Sequence, residues 1–119
     1  MNEQAIVSKM HEYLHTATKE LCAWLAKMLP RVGEEWWQVC VMDNLSFAQK
    51  QYATESGYSK LEDLDLAAML RVADKSWYDM RSFAYLPTRD RQCVRDMMKV
   101  RNNWAHLAGA IAEIGRAHV

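Results

Sequence analysis

The sequence predicts an all-α fold, a helical bundle of about five helices, and three observations carry that expectation. Apolar residues recur at helical spacing along nearly the whole chain, no stretch alternates as a strand does, and only four glycines and two prolines interrupt 119 residues. Half of the residues are apolar, which suffices for one core in a chain too short for two. Residues 1–119 are therefore expected to form a single domain.

The first predicted helix runs from about Glu3 to Leu29, where Ile6, Met10, Leu14, Leu21, Leu25 and Met28 keep the helical period and Pro30 with Gly33 closes it. The second starts at Glu34 and Glu35, acidic residues suited to the positive end of a helix dipole, and carries Trp36, Trp37, Val39, Cys40 and Val41. Ser46, with Gln49 three residues on, forms a capping box for a short third helix that Gly57 ends. A fourth, from Asp63 or Asp65 to Ala84, sets Leu66, Met69, Leu70, Ala73, Trp77, Met80 and Phe83 or Ala84 on one face. Pro87 and Thr88 open the fifth.

Fifteen basic and fifteen acidic residues cancel, so the strong overall positive field of many non-specific nucleic-acid binders is absent, and any contact to a phosphate backbone must come from a local patch. No apolar run approaches the roughly 20 residues that span a bilayer, and the N-terminus has no basic-then-apolar leader. A cytoplasmic protein without a membrane partner is expected. Cys22, Cys40 and Cys93 are three widely spaced cysteines without a CxxC pair, expected as buried free thiols, two of them on apolar helix faces.

The fifth helix holds the local patch. On an ideal wheel, at about 100° per residue, Cys93, Met97, Val100, Trp104, Leu107, Ala108 and Ile111 form an expected core stripe. Arg91, Arg95, Lys99, Asn102 and His106 gather on the opposite side, a ridge of three cations leading to an amide and an imidazole. Arg101 stands on the flank, roughly 140° from His106. Arginine presents a planar fork of donors that fits phosphate oxygens, and histidine moves a proton near neutral pH. Cleavage of a phosphodiester needs both. One helix alone makes a loose site; two copies packed about a two-fold axis would bring two arginines and two histidines over one groove.

The segment Val100-Arg101-Asn102-Asn103-Trp104-Ala105-His106 resembles the signature of the HEPN superfamily, an arginine followed after four to six residues by histidine, usually with a polar residue directly after the arginine. Asn102 takes that polar place. The RNxWAH form is similar to a HEPN branch named for the C-terminal domain of a eukaryotic transcript-surveillance endonuclease and found also at the N-termini of bacterial ATPases and helicases. That branch also tends to show a WW pair, a short S-x-x-Q helix and an LDLAxLLxVxxxNW-like helix. This chain has, in the same order, Trp36-Trp37, Ser46 to Gln49, and Leu64-Asp65-Leu66-Ala67-Ala68-Met69-Leu70-Arg71-Val72 leading to Trp77, with Ser76 where the branch often has asparagine.

The resemblance implies an all-α domain, commonly a homodimer, that acts on RNA as a metal-independent endoribonuclease without a cofactor and leaves 2',3'-cyclic phosphate ends. Arg101 would hold the scissile phosphate, His106 would act as general base or acid, and Asn102 would orient the phosphate or the imidazole; the ridge of Arg91, Arg95 and Lys99 read from the wheel would bind the RNA backbone. The competing expectation is a non-catalytic adaptor or dimerisation module that binds nucleic acid or protein, with an ATPase or helicase as partner or fused domain. By resemblance only, phage defence is a setting for either.

One rival motif stands in the first helix. His11-Glu12-Tyr13-Leu14-His15 matches HExxH, two imidazoles one turn apart as a weak zinc-binding pair, and Glu35 follows at a separation compatible with a third ligand. A zinc peptidase also needs a substrate-supporting sheet, which this chain does not predict. The pair is expected on the solvent side of an amphipathic helix.

Overall fold

The computed structural model describes residues 3–117, and side chains from residue 4 to residue 107. Among the described residues the chain is helical and contains no strand. Helix α1 spans Glu3–Met28, α2 Phe47–Glu55, α3 Leu66–Lys75, α4 Trp77–Arg81 and α5 Thr88–Ala117, joined by 3-10 turns at Leu29–Arg31, Met42–Asn44 and Leu61–Asp63 and a π turn at Trp37–Val41.

Helix α3 is the hub. Leu66, Ala68, Met69, Leu70, Val72 and Ala73 are all buried, spread around the helix because α1 packs on one side and α5 on another. Its start is fixed by Asp65, whose carboxylate accepts the Ala68 N–H at 2.9 Å. The same logic starts α2, where Ser46 Oγ accepts from the Gln49 N–H at 3.2 Å and Gln49 Oε1 accepts from the Ser46 N–H at 3.0 Å. Gly57, at φ 70°, ends that segment in a left-handed conformation that suits glycine. The core runs from Leu25 and Leu29 through Cys40 and Val41 to Met69, Val72, Trp77 and Met80.

Two predicted helices change form. The expected second helix is a π turn followed by a 3-10 turn, with Glu34 and Glu35 in a turn before it. The widened turn buries the consecutive residues Cys40 and Val41 together, while Trp36 and Trp37 stay half-buried in an edge-to-face pair. The expected fourth helix is broken at Ser76, which leaves helical geometry at φ −90°, ψ 5°. Its fully buried hydroxyl donates to the Cys40 carbonyl at 3.2 Å and accepts from Asn44 Nδ2 at 3.1 Å, tying the α3–α4 joint to the π turn. Ser76→Ala removes both bonds of this buried hydroxyl, leaving the Cys40 carbonyl with only its 2.9 Å bond from Asn44 Nδ2, and is expected to cost about 1–2 kcal/mol, read as a lower urea midpoint at unchanged slope.

Helix α5 corrects the wheel. Of the expected core stripe only Trp104 is buried; Met97, Val100 and Leu107 are 39%, 49% and 52% exposed, and Cys93 is exposed as well. Ala108 and Ile111 lie outside the described side chains. Packing instead follows a line through Arg91, Val94, Met98 and Arg101, all half-buried. The reason is electrostatic. Asp74, buried on α3, draws the neighbouring cations of α5 inward and so turns the helix. Cys93, expected buried, is accordingly a free thiol on the surface and Cys22 is half-buried, whereas burial pushes the Cys40 thiol above its usual range.

Candidate nucleic-acid interface

Arg91 Nε and Arg95 Nε both donate to Asp74 Oδ1, each at 3.0 Å, and Arg91 Nη2 adds a 3.3 Å bond to the Asp74 carbonyl. The Arg91 guanidinium also lies 4.8 Å from the centre of the Tyr78 ring. Burial pushes the Asp74 carboxyl upward, but hydrogen bonds and charge from Arg95 and Arg91 outweigh it and hold the group below the usual carboxylate range. The expected ridge of three solvated cations is thus split. Two of them clamp α5 to α3, and Lys99 alone of the three has no ion-pair partner among the described residues.

Arg101 sits differently. It is half-buried on the α3-facing side of α5, where it lines a pocket of about 170 Å³ with Asn102, Met98, Leu70, Arg71 and Gln49. No described residue accepts a hydrogen bond from its guanidinium or pairs with it. Arg71 reaches the same pocket from α3 and spends its Nε on the Asn44 carbonyl at 2.8 Å, which orients the remaining donors. Two guanidinium groups thus line one small depression, with the Gln49 amide at its edge. Two cations, free amide donors and no carboxylate lining the pocket suit an anion of phosphate size.

His106 is exposed one turn beyond Asn102. Because α5 runs without a break, the four-residue step puts Asn102 and His106 on one face, while the five-residue step leaves Arg101 roughly 140° from His106 around the axis. Trp104 between them is buried, its indole edge-to-face with His11 of α1 at 5.8 Å. Arg101 and Asn102 therefore meet at the pocket, and His106 stands outside it in the single copy.

Arg71 and Gln49 were not singled out by sequence as site residues. The available signal was an arginine inside the otherwise apolar run Leu66–Val72; the Gln49 side chain was already accounted for by its cap. In the HExxH segment His11 and His15 are both exposed, one turn apart, and His11 packs on Trp104. Among the described residues no three histidine, cysteine or acidic side chains come together as a metal site, and no helix is long and apolar enough to cross a membrane.

A family model described as Swt1-like HEPN matches residues 9–114. No curated protein and no solved structure matches the chain.

Proposed function

Because the chain belongs to the Swt1-like HEPN family, we propose that it acts on RNA as a metal-independent endoribonuclease, with Arg101 and His106 of α5 as its working pair. The observation that carries this reading is the Arg101 guanidinium, unpaired among the described residues, in a pocket also lined by Arg71 and Asn102. There Arg101 and Arg71 hold the scissile phosphate and offset the charge that builds on its oxygens. The 2'-hydroxyl attacks phosphorus, the bond to the 5'-oxygen breaks, and a 2',3'-cyclic phosphate remains. One histidine accepts the 2'-hydroxyl proton and one donates to the leaving oxygen.

A homodimer supplies that second histidine. The divergence of Arg101 and His106 on one helix calls for a partner copy, and the exposed apolar strip of Met97, Val100 and Leu107, with Ile6 and Tyr13 exposed on α1, is the kind of surface such a partner covers. Lys99, exposed on α5, meets the RNA backbone beyond the pocket. The adaptor reading draws its support from Arg91 and Arg95, whose ties to Asp74 leave a smaller free cationic surface than an RNA-cleaving groove commonly carries.

Equilibrium binding of single-stranded RNA across salt concentrations tests the shared premise. Arg101→Ala is expected to weaken binding and to lower the slope of log affinity against log salt by about 0.7, one phosphate contact on a single strand. Equal affinity and equal slope for parent and variant overturn it.

A further inference from the structure

Beside the arginine pocket lies a second and larger depression of about 420 Å³, lined by Tyr52 and Tyr58, by leucine and alanine side chains, and by Gln49 and Asp65. The two depressions share Gln49 as their dividing wall, and neighbouring alanines of α3 line them, Ala67 on the arginine side and Ala68 on the tyrosine side. Their chemistry is opposite. The first is cationic, whereas the second has no cation in its lining and an acidic one in Asp65, so it repels a phosphate.

Its walls instead suit a flat heterocycle. Tyr52 and Tyr58 meet edge-to-face at 5.7 Å, and the Tyr52 ring is largely exposed, open to stacking. The polar groups still have capacity at this rim. Gln49 Oε1 is used by the Ser46 N–H, leaving its Nε2 as a donor, and Asp65 Oδ1 is used by the Ala68 N–H, leaving Oδ2 as an acceptor.

Resting on the RNA reading above, we propose that this depression is a nucleobase subsite for a nucleotide adjoining the phosphate held by Arg101. Tyr52 stacks on the base, Gln49 donates to a ring nitrogen or carbonyl, and Asp65 accepts from an exocyclic amino group. The site therefore prefers cytosine to uracil, two bases of equal ring size that differ at that amino group.

The probes are hexacytidylate and hexauridylate carrying 2'-O-methyl groups, which bind and cannot be cleaved. Titrations against the parent protein are read by affinity and by the tyrosine ring resonances. Hexacytidylate is expected to bind several-fold tighter and to shift those resonances. Tyr52→Ala, at an exposed position, is expected to weaken both oligomers roughly tenfold, one lost stacking contact. Asp65→Asn retains a side chain that caps α3 and is expected to erase the cytosine preference. Binding that depends on Arg101 but is indifferent to Tyr52, to Asp65 and to the base overturns the subsite and spares the RNA reading. Failure of both hexamers to bind overturns the two together.

Discussion

His106→Ala is expected to abolish RNA cleavage, a loss of about 10²–10⁴ in rate, while the protein stays folded and keeps its affinity for RNA within a few-fold. The side chain is exposed on α5 and takes no part in the core, so its removal creates no cavity. What disappears is the group proposed to move the proton to or from the sugar oxygens. Arg101→Ala is expected to behave differently, since Arg101 is proposed to meet the phosphate in both ground and transition states. That variant loses affinity along with rate. Single-turnover cleavage and equilibrium binding, measured on the same two variants, separate the roles.

Asp74→Ala is expected to destabilise the protein by about 3 kcal/mol, on the order of 10 °C in melting temperature, although Asp74 is remote from the proposed chemistry in role. One carboxylate oxygen accepts from both arginines, each at 3.0 Å. Arg91, with a side chain only 18% exposed, would be left charged and partly buried; Arg95, 48% exposed, can turn to water and adds less. Because pairing holds the Asp74 carboxyl below its ordinary value, its contribution is fully present above the unfolded value of about 4 and is lost as pH falls through the lower folded one. Parent stability should therefore drop steeply below about pH 4. An Asp74→Asn variant, with nothing to protonate there, should fall less steeply over the same range, as denaturant midpoints at a series of pH values will read.

The local punctuation of this chain was legible because it depends on neighbours in sequence. The Ser46–Gln49 box, the Gly57 stop and the Pro87–Thr88 start each need only a few residues to be satisfied. The break at Ser76 was not legible, since the groups that stabilise it, the Cys40 carbonyl and Asn44, lie 36 and 32 residues away. The packed face of α5 misled for a related reason. A wheel ranks residues by hydrophobicity, and it turned Cys93, Met97 and Val100 inward; a buried carboxylate on α3 inverted that order by recruiting Arg91 and Arg95.

At the candidate site the sequence marked Arg101, Asn102 and His106 through a motif on one helix, and α5 carries all three in a continuous stretch. Arg71 and Gln49 escaped because they come from α3 and α2 and meet Arg101 only through the fold. Lys99 is the part of the expected cation ridge whose charge remains unpaired among the described residues.

The most direct test is the chemistry of the ends. Labelled total RNA is incubated in EDTA with the parent protein and, in parallel, with His106→Ala, and the 3' termini of the fragments are identified. Fragments ending in 2',3'-cyclic phosphate, made by the parent and not by the variant, are the predicted result. Intact RNA with both proteins, or identical fragments from both, contradicts the account.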